Sequence, residues 1–413
     1  MRSSVLKIGI YNEPAGTGIG GSESMVAVLA EALSREHQVE LLHCIHALSA
    51  DLLAESSGAD LSNVRLRYVE ADHDLTQYSR NPWRRYNASL KWHAALSKPY
   101  DVFIAVVHEM PPFCHAAEGL LVVLFPTYIG PYFRGPDELL KRSALRRRVE
   151  YEYRKWEWKK RMGSYQLKTA ISDFSRTWTR RRWGVNCEVV YPPVDNHFRR
   201  VEKANVILSV GRFAVKGEGH TKKQLEMLTA FRQTKKESLG DWEFFCVGGL
   251  RDSPEHRDYF ENLRDVGSEC QAQLIANIER NRLKSLYERA SIFWHAAGYG
   301  EDENAHPELM EHFGISTVEA MAAGCVPVVI NKGGQREVVQ HGVNGFLWDT
   351  LKELKEYTGI LARDDRTRAR MSEAARARAA FFSREEFVKR FQNLLWRRKL
   401  LLNPRPGLTK HLG

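Results

Sequence analysis

The 413-residue chain has no run of about 18 apolar residues, so no stretch of it reads as a membrane-crossing helix. Its start, Met1 to Tyr11, carries Arg2 and Lys7 around a short apolar run without a small-residue cleavage site. A first β-strand is therefore expected there rather than a secretory leader. Long polar tracts and short-period repeats are absent, which excludes a disordered tail-like protein and a solenoid. The six cysteines (Cys44, Cys114, Cys187, Cys246, Cys270, Cys325) form no CxxC pair and stand at no metal-ligand spacing from a histidine. That excludes a disulfide scaffold and a zinc module, and predicts reduced thiols in a cytoplasmic protein.

What remains is an ordinary globular composition, 43% hydrophobic and 27% charged. The length predicts two domains of roughly 200 residues each. Apolar strand-like runs alternate with helical periodicity in both halves. Leu6 to Tyr11, Val39 to Leu42, Val102 to Val107 and Leu120 to Phe125 are the runs of the first half. Val206 to Val210, Trp242 to Val247, Ser291 to Trp294 and Val326 to Ile330 are those of the second. Such alternation predicts parallel sheets covered by helices. Tyr191-Pro192-Pro193-Val194-Asp195 lies between the halves, and its two prolines predict a stiff linker near residues 192–203. The predicted organisation is α/β, two facing Rossmann-like domains over 1–195 and 203–383, with a cleft between them. A last helix, within 384–413, is expected to pack back on the first.

Three motifs can carry chemistry. Gly16-Thr17-Gly18-Ile19-Gly20-Gly21 follows the first strand with G-x-G-x-x-G spacing, which lets backbone amides and a helix start approach an anion. The second strand ends in His43 and Cys44, so the acidic residue of a nicotinamide site is missing; a tight turn without ligand is the other reading. Glu311-His312-Phe313-Gly314-Ile315-Ser316-Thr317-Val318-Glu319 runs from a loop into a helix start and precedes the strand at Val326. Ser316 and Glu319 have capping-box spacing, which leaves Glu311 and Gly314 unexplained. Amides of 314–317 can take phosphate oxygens, and the two carboxylates can accept from hydroxyl groups of one extended ligand. Third, Gly211-Arg212-Phe213, with Lys216, Lys222 and Lys223 downstream, can neutralise a diphosphate; a solvated basic face is the plainer reading.

Taken together, these residues resemble the family 4 retaining glycosyltransferases of the GT-B fold. The E-x7-E signature is Glu311 and Glu319, with Phe313-Gly314 between them. Glu-Ala-Met-Ala-Ala-Gly-Cys-Val-Pro-Val-Val, Gly333-Gly334 with Glu337, and Asn344-Gly345-Phe346-Leu347 follow in order. Gly211-Arg212, Lys222 with Phe231, Ile171 to Ser175 and Tyr191 to Asp195 match as well. The resemblance implies a nucleotide-diphosphate sugar as co-substrate, with no metal and no further cofactor. It implies that Glu319 binds the ribose and that Glu311 contacts the sugar near its reacting carbon. Arg212 and Lys222 would hold the diphosphate, and Gly20 and Gly21 would line it. Extra residues, Ala214 to Thr221, separate Arg212 from Lys222, so Lys223 or Lys216 can take the lysine role. The loop Leu124-Phe125-Pro126-Thr127 lacks the histidine many members carry, and His108 is the nearest substitute. With Glu319 explained as a cap, loss of Glu311 is expected to impair turnover at little expense in stability.

The net charge of +10 is local: Lys141 to Trp183 holds 15 basic against 4 acidic residues, interleaved with Tyr151, Tyr153, Trp156 and Trp158. Three readings compete. The aromatics pack on the domain from an exposed helix, or the segment lies on an anionic membrane near a lipid-linked sugar or glycan acceptor, or it stacks on a nucleic acid strand, the least favoured. Two rivals to a transferase follow: a nucleotide-sugar-binding protein that kept the fold and lost turnover, and a basic nucleic-acid-associated protein.

Overall fold

The computed structural model describes residues 5–12, 20–44, 48–69, 82–127, 144–215, 217 and 221–397. Gly16 to Ile19, Lys216, residues 141–143 and the end of the expected last helix, 398–413, lie outside them. Two compact units divide the chain: Met1–Tyr191 with Phe387–Gly413, and Pro192–Glu386.

The first unit is built on β1 (Lys7–Asn12), β2 (Gln38–His43), β3 (Val64–Tyr68), β4 (Val102–Val107), β5 (Glu118–Val123), β6 (Leu167–Ala170) and β7 (Glu188–Val189). They form one sheet in the order β3-β2-β1-β4-β5-β6-β7, with every pair parallel. Unbroken apolar runs such as Val102-Phe103-Ile104-Ala105-Val106-Val107 suit a sheet covered on both faces, and all six of these residues are buried. The strand order reverses between β1 and β4, where ligands of open α/β sheets bind beyond the carboxyl ends.

The second unit repeats the plan with β8 (Ala204–Val210), β9 (Glu243–Gly248), β10 (Gln273–Ala276), β11 (Ala290–His295), β12 (Val326–Ile330) and β13 (Phe346–Trp348). Its order is β10-β9-β8-β11-β12-β13, again all parallel. Phe231, Phe244, Trp294 and Trp348 fill its core, and ring contacts link Phe231, Phe244 and Trp294. Here the reversal falls between β8 and β11. The Pro192–Asp195 segment belongs to this unit: Val194 bridges Ser383, with its N–H 3.0 Å from the carbonyl of Phe382.

The basic segment is not one helix. It is a helix at Ala144–Gly163, strand β6, and a second helix at Asp173–Trp183. Trp158, Trp178 and Trp183 are buried, and the Trp158 indole N–H donates to the Trp183 carbonyl at 3.0 Å. Two of the arginines are buried as well: Arg161 donates to the Pro111 carbonyl at 2.8 Å and Arg182 to that of Pro126 at 2.9 Å. These tryptophans are core; of the aromatics named in the packing reading Trp158 follows it, while Tyr151, Tyr153 and Trp156 are half-buried. Arg154, Lys159 and Lys160 are exposed. Among the described residues no helix is long and apolar enough to cross a membrane. None of the six cysteines is in a disulfide, and five of them are buried.

Candidate active site

At the carboxyl end of β8 the chain turns through Gly211, whose N–H bonds the Val247 carbonyl at 2.9 Å. A Cβ at Gly211 would stand 2.6 Å from Cγ of Lys222. The missing side chain lets the Lys222 stem lie across the strand end, and its ammonium pairs with Oε2 of Glu311. The two side chains are only 15% and 14% exposed. His295, the last residue of β11, meets the same oxygen through Nε2 at 2.9 Å. Lys222, Glu311 and His295 thus converge where the order of the second sheet reverses, the place this architecture reserves for ligands.

His295 is 2% exposed. Burial lowers its pKa, against the hydrogen bond and charge of Glu311, which raise it. The ring is therefore neutral, and contact with a carboxylate requires the proton on Nε2. Its Nδ1 is buried without a partner.

Glu311 is held from the other side by the Gly333-Gly334 turn. The Gly334 N–H donates to the Glu311 carbonyl at 2.8 Å, and a Cβ on Gly333 would come within 2.3 Å of that oxygen. The loop then reaches Gly314, which has φ +108 and begins the helix Ile315–Ala323. The N–H groups of Thr317 and Val318 bond the Gly314 carbonyl. Those of Ile315 and Ser316, at the first turn, have no acceptor within the helix and can serve a phosphate. The Phe313 ring is buried against Phe382, so its side chain is core.

The capping box expected at Ser316 does not form. Gly314 is the cap residue and no side-chain cap is made; Ser316 lies inside the first turn, so Glu319 cannot reach a cap amide. Instead Oε2 of Glu319 accepts from the Tyr287 hydroxyl at 3.0 Å. Desolvation pushes the Glu319 carboxyl up to about 7, against the Tyr287 hydrogen bond, and the negative Asp195 adds to the rise while Arg280 opposes it. Burial would also raise Asp195. Hydrogen bonds from His197 and the charges of Lys284 and Arg280 outweigh that and hold it below the usual carboxylate range.

The remaining sequence candidates fall in different places. Lys223 starts the next helix in a left-handed conformation, and its ammonium sits 2.7 Å from Glu301. The acidic run Glu301-Asp302-Glu303 is thereby tied to the site; Glu303 also pairs with Arg336 at 2.9 Å and accepts from the Gly333 N–H at 3.1 Å. The Arg212 side chain is exposed, while its carbonyl accepts from Gln224 at 3.0 Å. In the first unit, Gly20 and Gly21 follow β1 and His108 follows β4, flanking the reversal of that sheet. The Gly20 N–H is held by the Glu23 carboxylate at 2.8 Å. The His108 carbonyl accepts from the N–H and the hydroxyl of Thr127, at 2.9 and 2.7 Å.

Sequence reasoning missed His295, Tyr287 and Asp195. His295 had a usable signal, a polar side chain at the carboxyl end of a predicted strand.

Residues 194–378 match the family model described as Glycosyl transferases group 1. The chain is 30% identical over 239 residues to the GDP-Man:Man(3)GlcNAc(2)-PP-Dol alpha-1,2-mannosyltransferase of Dictyostelium discoideum, an alignment covering 52% of this chain and 45% of that protein. The chain thus spans about half the length of the curated relatives it matches. A glycosyltransferase crystal structure from Rickettsia africae superposes with a TM-score of 0.65 at 15% identity, over 96% of this chain and 99% of the other. Anabaena Alr3699/HepE in complex with UDP-glucose superposes with a TM-score of 0.61 at 17% identity, over 95% and 100%. These superpositions establish the shared fold, two parallel-sheet α/β domains of the GT-B type.

Proposed function

We propose that the protein transfers a hexose from a nucleotide-diphosphate sugar to a hydroxyl of a lipid-linked glycan, retaining the anomeric configuration and using no divalent metal. The observation that carries this reading is the meeting of Lys222, Glu311 and His295 beside the first turn of Ile315–Ala323, within the family-matched stretch. The first-turn amides and Lys222 suit a diphosphate, and Arg212 adds an exposed guanidinium. Glu311 suits a sugar hydroxyl, and Glu319 the ribose hydroxyls. The lipid-linked acceptor, and GDP-mannose as the first donor to try, follow from the printed activity of the Dictyostelium relative.

In the proposed step the acceptor oxygen bonds to the anomeric carbon on the face from which the diphosphate departs. The carbon–oxygen bond to phosphate breaks, and its electron pair goes to the phosphate oxygen, which takes the acceptor proton. Arg212 and Lys222 offset the charge that grows there. Exposed Arg154, Lys159 and Lys160 support peripheral contact with an anionic membrane that presents the acceptor.

A thermal-shift panel of GDP-, UDP- and ADP-sugars tests the donor. A matched one at 100 times its dissociation constant stabilises by about 2.7 kcal/mol. The anomeric linkage of the product, read by NMR, tests retention; an inverted product overturns the same-face step. Activity lost in EDTA and restored by a divalent ion overturns metal independence. Tight donor binding without turnover on any acceptor leaves only a binding protein.

A further inference from the structure

In the structure Lys222 is paired with Glu311, whereas under the donor reading above it must face a diphosphate. One ammonium cannot stay fully committed to both anions. A carboxylate that gives up a cationic partner in a shielded site is destabilised, and the incoming phosphates repel it further. Glu311 has another contact on the same oxygen, Nε2 of His295 at 2.9 Å. The two partners differ in how they are held. Lys222 reaches Glu311 on a flexible four-carbon stem laid over Gly211. His295 is fixed by the sheet: β11 lies between β8 and β12, with His295 in register with Val329. Trp294 beside it is anchored through its indole N–H to Thr358 at 2.9 Å.

We propose that His295 is a positioning residue: its Nε2–H holds the Glu311 carboxylate in place while Lys222 transfers from Glu311 to the diphosphate of the donor. The inference rests on the donor reading and assigns a role to a residue outside the E-x7-E signature. A neutral ring suits the task, because it steadies the carboxylate without competing for the phosphates. The unpartnered Nδ1 fits it too: among the described residues the one hydrogen bond the ring makes is that to Glu311.

The test uses the full chain and its H295Q, H295N and H295L variants. Nucleotide release is followed with UDP-, GDP- and ADP-hexoses, and GDP and UDP affinities are measured by titration. Gln places an amide N–H near the position of Nε2, whereas Asn and Leu do not. The expected result is a kcat within about 5-fold of native for H295Q and about 100-fold lower for H295N and H295L, as misplacement of a site group by about 1 Å produces. Nucleotide affinity is expected to stay within about 3-fold in all three, since nothing that binds phosphate has been removed. An active native chain with an unimpaired H295L overturns this inference alone, as does a loss that lies wholly in nucleotide binding. If H295L does not fold, equal rates for H295Q and H295N overturn it. A native chain that consumes no donor of the panel overturns the donor reading and this inference together.

Discussion

The Tyr287 hydroxyl donates to Oε2 of Glu319 across 3.0 Å, yet desolvation still leaves that carboxyl with a pKa of about 7. The folded state therefore favours the protonated form. Its contribution to stability is complete below the unfolded-state value near 4.5 and is lost as pH rises through about 7. The shift corresponds to about 3 kcal/mol. Glu319→Gln keeps the neutral shape and removes the titration. Melting temperatures taken between pH 5 and pH 8 are expected to fall for the native chain relative to the variant; parallel curves contradict the assignment.

The Lys222–Glu311 pair revises an expectation drawn from sequence. Glu311 appeared structurally idle, so its loss seemed harmless to stability. It is instead bonded to Lys222 and His295 in a largely shielded place. Glu311→Ala is expected to lower both turnover and stability. A double-mutant cycle with Lys222→Ala, read by denaturant unfolding, is expected to show a coupling of about 1–3 kcal/mol. Additive single effects contradict the pairing.

Two glycines separate activity from stability. Gly211→Ala puts a methyl 2.6 Å from the Lys222 stem, a flexible chain that can move aside. Nucleotide affinity is expected to drop while the melting temperature changes little. Gly314→Ala forces an L side chain into φ +108 and to 2.8 Å from the Gln335 amide. It is expected to destabilise by about 1–3 kcal/mol. Equal melting temperatures for both variants contradict this division.

The basic segment divides in the same manner. Trp158→Ala removes a buried side chain and its hydrogen bond to Trp183, and is expected to destabilise by about 3–5 kcal/mol. Charge reversal at Arg154, Lys159 and Lys160 is expected to leave melting unchanged and to abolish pelleting with anionic liposomes at low salt. If the native chain does not pellet, the membrane contact is wrong.

Strands were legible because a parallel sheet buried on both faces leaves unbroken apolar runs, as at Val102–Val107 and Val326–Ile330. The short, half-polar strand Val64–Tyr68 leaves no such run. Within the site, the E-x7-E spacing and Gly211 with Lys222 could be read directly, being local in sequence. The partners could not: His295 and Tyr287 reach the two glutamates from β11 and from the helix before it, through sheet pairing that spacing does not encode. Ser316 misled because its capping-box pattern is satisfied by spacing alone. A glycine at φ +108, packed against Gln335, takes the cap position two residues earlier. Asp195 looked like linker because its two prolines hide that Val194 already pairs with Ser383.

The most direct test of the account is nucleotide release from GDP-mannose and the other nucleotide sugars, with the native chain and Glu311→Ala compared at saturating donor. One donor is expected to be consumed by the native chain, at a rate at least about 100-fold above that of the variant. Release by neither protein from any donor, or equal release by both, contradicts a transferase site built on Glu311.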